Sequence, residues 1–383
     1  MSAPTLLLLP GDGIGPEIFG AMEPIFAWLA ERTDPRIEIR ERPAGYRAFA
    51  AEGATISDET LALAAASSAV LFGAESTEEY ARLPRADRPE PCVLKLRKGL
   101  GGYANLRPVA TYPALEEFSP LKREVVRDVD MVIVRELLGG LYFGRPQGIE
   151  TIGDRRRAVD SLVYTSDEIE RIALVAFELA RSRRSRLCSV DKANVLATGS
   201  LWRDVVTSLG RQYPDVELTH MYVDNCAMQL VRRPGQFDVI LTENTFGDIL
   251  SDSAAMVVGS IGMLASATLA GPPADGSAPG LYESVSGTAP DIAGQGIANP
   301  VGTVLSLALA LRYSLASPTL ASELEKAVET ALGAGARTRD IGGDLGTADM
   351  VRAIAANLRA DSAPGTTTNS EGGRTNGASA NGP

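Results

Sequence analysis

The chain has 383 residues, 45% of them hydrophobic, and a net charge of −11 with acids and bases interleaved. That length leaves room for two domains, or one with a large insertion, each with a sizeable core. The acidic balance excludes the basic face a nucleic-acid partner needs, and three cysteines without paired spacing exclude a disulfide framework and a zinc site and point to a reducing, cytoplasmic compartment.

In chain order, Thr5–Leu9 is a short apolar strand. It is too short for a signal-peptide core, and no basic residue precedes it. The turn Pro10-Gly11-Asp12-Gly13-Ile14-Gly15-Pro16-Glu17 follows. Its glycines miss the spacing of a dinucleotide fingerprint. It reads first as a tight strand-to-helix turn, with a pyrophosphate cradle as the alternative. A helix is expected over Pro16–Glu31, with Pro in its first turn and apolar Ile18, Met22, Ile25, Phe26 and Leu29. Ala69–Phe72, Met131–Val134, Leu187–Val190 and Val239–Leu241 are short apolar strands, and Ser166–Ala180 is a helix with Ser166 as N-cap. The apolar stretch Ala254–Gly271 is broken by glycines and small polar residues. It reads as a buried helix end and loop, with no membrane span. Val301–Leu315, Thr319–Leu332 and Thr347–Leu358 are helical, and the Gly-, Ser-, Thr- and Asn-rich tail Asp361–Pro383 is expected to be disordered. No internal repeat is visible. This alternation is that of an α/β protein, with a site at the carboxyl edge of its sheet.

The segment Thr242–Asp252 is the most informative. Asp248 and Asp252 stand four residues apart in an expected helix. Four residues is about 400° of rotation, so both carboxylates leave the same face. With one histidine, His220, and cysteines 92, 188 and 226 far apart, a cation shared by these acids would be a hard ion, Mg²⁺ or Mn²⁺. The alternative is a solvated helix face. Three arginines, Arg97, Arg107 and Arg135, suit bidentate binding of a dicarboxylate. Tyr142 lies among glycines close after Arg135, where the cations are expected to lower its pKa into working range. Lys192, after the strand Leu187–Val190, is a candidate base.

The stretches PGDGIGPE, LRKGLGGYANLRP, VIVRELLGGLYFG, SVDKANVL, YVDNCAMQLV, FGDILSD and GTAPDIAGQGIANP, in this order from residue 10 to 300, resemble the isocitrate/isopropylmalate family of β-decarboxylating dehydrogenases. The resemblance implies that family's two-domain α/β fold, which is not a Rossmann fold. The first domain would combine residues 1–102 with 265–360, and the second would be 103–264. It implies Arg97, Arg107 and Arg135 on the malate carboxylates, Asp224, Asp248 and Asp252 on Mg²⁺ or Mn²⁺, and Tyr142 with Lys192 as the acid–base pair. Lys192 and Asp224 would come from the second subunit of a homodimer. Val93, Leu94 and Val195 would line the pocket for the 3-substituent, where their apolar character suits an alkyl group such as isopropyl. A different apolar 3-substituent remains open, because Val93 is smaller than the Leu common there. Ile14, Glu283, Ser286, Gly287, Asp291, Ala298 and Asn299 would border the cofactor. Asp291 can accept from a ribose 2′-hydroxyl and repel a 2′-phosphate, which favours NAD. Ser286 stands where the family usually has His. The implied activity is NAD-dependent oxidative decarboxylation of 3-isopropylmalate, or of a related 2-hydroxy acid. A non-catalytic homologue is disfavoured by the retained acids, arginines, Tyr and Lys.

Overall fold

The computed structural model describes residues 3–84, 87–273 and 279–360; the tail expected to be disordered lies outside them. Among the described residues there are twelve strands: β1 (Thr5–Gly11), β2 (Glu38–Glu41), β3 (Ala69–Ala74), β4 (Ala104–Ala110), β5 (Asp130–Glu136), β6 (Gly148–Ile152), β7 (Arg155–Val159), β8 (Arg186–Asp191), β9 (Glu217–Tyr222), β10 (Val239–Thr242), β11 (Ala265–Leu269) and β12 (Gly280–Ser284). Ten form one sheet in the order β2-β1-β3-β12-β11-β4-β5-β10-β8-β9, and β6 and β7 make a separate hairpin. The fold is α/β, as expected.

The sheet is mixed. β2, β1, β3 and β12 run parallel, as do β5, β10, β8 and β9. Between these runs, β12–β11, β11–β4 and β4–β5 are all antiparallel. Three reversals set the two parallel runs in opposite directions, so their carboxyl ends lie at opposite edges. A site at a single carboxyl edge is therefore corrected. The residues of interest cross one face of the central antiparallel strands, where Asn105 and Arg107 share a side of β4 by the two-residue period of a strand.

The stretch 254–271, expected as a buried helix end and loop, does begin with the buried end of the helix Asn244–Val258, but its Ala265–Leu269 part is β11 at the centre of the sheet and not a loop. All five of its residues are buried. A strand covered on both faces shows no apolar–polar alternation, so periodicity could not reveal it. The helix expected over 16–31 is two, Gly15–Ala21 and Glu23–Arg32, because Pro24 starts a second helix. The helices Val301–Tyr313, Pro318–Gly333 and Thr347–Ala360 match the expected C-terminal run.

The helix Ser166–Arg181 is capped by Thr165 rather than Ser166. The Thr165 hydroxyl accepts from the Glu168 amide, and the Glu168 carboxylate accepts from the Thr165 amide at 2.8 Å. This reciprocal pair satisfies two otherwise free donors. Its apolar stripe, including Ile169, Ile172, Ala176 and Phe177, is fully buried. Thr165→Ala should cost about 1 kcal/mol of stability, read as a lower urea midpoint at unchanged slope.

Candidate active site

Arg135 stands one residue before the end of β5 and Arg107 lies in mid-β4, and both side chains are buried. Two adjacent buried cations require anions or good acceptors. Arg135 donates from Nε and Nη2 to Asn244 Oδ1 at 3.0 and 2.8 Å, and from Nη1 to Asp248. Arg107 donates to Asn105 Oδ1 (2.8 Å), Ser251 Oγ (2.6 Å) and Asp252 Oδ1 (3.1 Å). Desolvation, then the neighbouring Arg107, pushes the Arg135 pKa down to about 10. Desolvation also lowers that of Arg107 against the pull of Asp248 and Asp252.

The acids come from the helix Asn244–Val258, which places Asp248 and Asp252 one turn apart as the spacing predicts. Glu243 caps it, accepting from the amides of Phe246 (2.7 Å) and Thr245 (3.1 Å). Gly247 lets the helix lie on Arg135, because a Cβ there would stand 2.7 Å from Arg135 Cγ. Burial raises the Asp252 pKa, with Arg107 opposing.

Tyr142 closes a short 3₁₀ turn, Gly140–Tyr142, and its hydroxyl donates to Asp248 Oδ2 at 3.1 Å. The lowered pKa expected for this phenol is corrected. Burial raises it first, and the Asp248 charge raises it further; Arg135 opposes. The phenol is therefore held protonated, as a donor. Its loop is fixed from below. The buried Glu136 carboxylate accepts from the amides of Leu138 (3.0 Å) and Gly139 (2.7 Å), from Tyr164 and from Arg171. Gly140 has φ +77°, and a Cβ on Gly139 or Gly140 would collide with the Tyr164 ring.

Lys192 and Asp224 form a separate pair at 2.7 Å, which lowers the Asp224 pKa. Arg203 secures the Lys192 loop through two 2.9 Å bonds to Asp191. Val195, on the same loop, is 70% exposed. Among the described residues no three His, Cys, Asp or Glu side chains converge as a metal set. A single chain thus brings Asp248 and Asp252 together but leaves Asp224 elsewhere.

Next to Arg107, Arg97 donates to Glu283 at 2.9 Å. All three line a cleft of about 320 Å³ together with Val93, Leu94, Ser286 and Gly287. The Ser286 hydroxyl is folded back on Ser284 Oγ at 2.7 Å. Asp291 is exposed in the loop that follows. Ala298 and Asn299 are buried at its end, where Asn299 bonds Asp340 and caps Val301. The turn 10–17 is a structural junction. The amides of Asp12 and Ile14 bond Ala74 O (2.8 Å) and Thr288 O (3.0 Å), so they are not free to cradle a pyrophosphate.

The family model described as isocitrate/isopropylmalate dehydrogenase matches residues 5–354. The chain belongs to this family. A 3-isopropylmalate dehydrogenase from Ruegeria pomeroyi is 50% identical over 365 residues, covering 94% of this chain and 100% of that protein. One from Gloeobacter violaceus is 55% identical over 338 residues, covering 88% and 92%. The crystal structure of isocitrate dehydrogenase from Methylococcus capsulatus superposes with a TM-score of 0.81 at 33% identity, covering 93% of this chain and 99% of that one.

The candidate site in this isocitrate/isopropylmalate dehydrogenase family member also contains groups that no motif singled out. Asn244, Asn105 and Ser251 orient the two arginines; away from them, at the 10–17 junction, Asp12 accepts the amides of Tyr46 (2.7 Å), Arg47 (3.0 Å) and Ser76 (2.9 Å). Asn105 had one signal, its place two residues before Arg107 on a strand. Asn244 had another, its position in the first turn of a helix. The all-oxygen set on the Asp248 face suits a hard divalent ion. Arg107 and Arg135 pair with those oxygens.

Proposed function

We propose that this dehydrogenase oxidises and decarboxylates 3-isopropylmalate, using NAD and Mg²⁺ or Mn²⁺, as a cytoplasmic homodimer in leucine biosynthesis. The observation that carries this reading is the convergence of buried Arg107 and Arg135 with Asp248, Asp252 and Tyr142 on one face. Relatives at about half identity bear the name of that activity.

The two arginines would exchange their aspartates for the malate carboxylates and fix the substrate by paired, charge-assisted bonds. Asp248 and Asp252 would then be free for the divalent ion, joined by Asp224 of a second copy. Lys192 of that copy would take the C2 hydroxyl proton, and Tyr142 would return a proton to C3 after CO₂ leaves. When bound, the nicotinamide would supply the hydride acceptor, and the ion, held by Asp248 and Asp252, would supply Lewis-acid polarisation of the substrate oxygens. Val93 and Leu94 would receive the alkyl group, with Val195 of the second copy closing over it. Ile14, Glu283, Ser286, Gly287, Asp291, Ala298 and Asn299 would border NAD.

The dimer reading is supported by exposed Met228 and Val231 on the helix Val223–Arg232, and by Ile249 and Met256 on the Asn244–Val258 helix beside it. Such apolar faces mark contact surfaces. The proposed division into 1–102 with 265–360 against 103–264 is supported by the strand order of the large sheet, in which β1–β3, β11 and β12 are neighbours and β4, β5 and β8–β10 are neighbours.

The test is a panel of 3-substituted malates with NAD or NADP, followed by NADH absorbance. 3-Isopropylmalate with NAD and Mn²⁺ should give the highest kcat/KM, and EDTA should abolish turnover. Preference for NADP would overturn the role of Asp291. Another substrate ahead of 3-isopropylmalate would overturn the substrate assignment.

A further inference from the structure

The helix Cys92–Gly99 carries Val93, Leu94 and Arg97 towards the cleft, yet Pro91, its capping residue, offers no side-chain bond. The free donors of its first turn are satisfied from a distance. Glu75, immediately after β3, accepts the Cys92 amide at Oε1 (2.8 Å) and the Val93 amide at Oε2 (3.2 Å). The buried Tyr80 hydroxyl donates to Oε1 at 2.8 Å and anchors the carboxylate from its other side. Glu75 also lines the cleft that holds Val93, Leu94, Arg97 and Glu283. A fixed negative charge therefore stands one hydrogen bond from the backbone of a residue placed against the 3-substituent.

We propose that Glu75 is a specificity-determining residue of this site, filtering the 3-substituent by charge so that neutral groups are accepted and carboxylate-bearing ones rejected. The proposal rests on the substrate reading above and deepens it. Two mechanisms act together. The carboxylate repels a second anion at close range in a partly desolvated cleft. It also occupies the two amides that would otherwise offer an anion a ready partner at a helix N-terminus. An apolar pocket alone rejects a polar variant weakly, so a like charge is the stronger discriminator.

The experiment compares kcat/KM for 3-isopropylmalate and for isocitrate, which carries a carboxymethyl group at the same carbon. It uses the full-length wild type, Glu75→Gln, Glu75→Ala and Glu75→Asp with NAD and Mn²⁺. The ratio should shift towards isocitrate by about tenfold or more in Glu75→Gln and Glu75→Ala, through KM for isocitrate rather than through kcat. Glu75→Asp, which keeps the charge, should stay near wild type. An unmoved ratio in Glu75→Gln, or an equal shift in Glu75→Asp, overturns the proposal, and Glu75→Gln suffices if Glu75→Ala does not fold. If the wild type turns over no 3-isopropylmalate, the substrate reading fails by itself. The charge filter is then read from the ratio of calorimetric binding constants for the same two compounds on the Mn²⁺-loaded proteins, with the same two outcomes deciding it.

Discussion

Asp248→Asn should lower kcat on the order of a hundred- to a thousandfold, the usual cost of removing a preorganised electrostatic group at a reacting centre. Asp248 is the hub of the site. One carboxylate oxygen accepts from Arg135, the other from the Tyr142 hydroxyl at 3.1 Å, and Arg107 lies 3.6 Å away. Asn preserves the shape and can still accept one bond. It removes the charge that balances two buried guanidiniums and that would hold a divalent ion. Loss of activity should be accompanied by a raised Mn²⁺ requirement, measured by titrating the ion at saturating substrate. An unchanged rate with an unchanged metal dependence would remove Asp248 from the centre.

Tyr142→Phe should reduce overall turnover by about a hundredfold or more, within the range of a lost general acid. The ring stays, including its position under Arg135, with the guanidinium carbon 6.0 Å from the ring centre. Only the hydroxyl is lost. Burial and Asp248 hold that hydroxyl protonated, so the variant lacks a donor, and no nucleophile or base is removed with it. Hydride transfer should survive better than proton return to C3. Single-turnover measurements should therefore show NADH appearing faster than the finished 2-oxo acid. Equal slowing of both, or an unchanged rate, would contradict the role.

Much of the candidate site was legible along the chain because its groups occur in short contiguous motifs whose local geometry is regular. A spacing of four on a helix put Asp248 and Asp252 on one face whatever else the fold did. An apolar run followed by Arg placed Arg135 next to the carboxyl end of β5. The Tyr142 pKa was not legible, since its direction depends on burial and on a carboxylate 106 residues away, and neither is written near residue 142. The capping residue at 165 was missed by one position because Thr and Ser are both good caps, and only the reciprocal bond with Glu168 distinguishes them.

By itself the sequence determined the residue chemistry: two carboxylates on one helix face with few histidines or cysteines in the chain, three arginines near glycine-rich turns, and an α/β alternation. Tertiary structure alone decided that the sheet reverses three times at its centre, that β11 is a strand, that the turn 10–17 is a junction, and that Asp224 stands apart from Asp248 and Asp252. The physical reason is that each depends on pairing between distant segments. Strands buried on both faces carry no periodic signal of their neighbours, and a carboxylate such as Glu75 gains its meaning from amides 17 and 18 residues away that the fold brings to it.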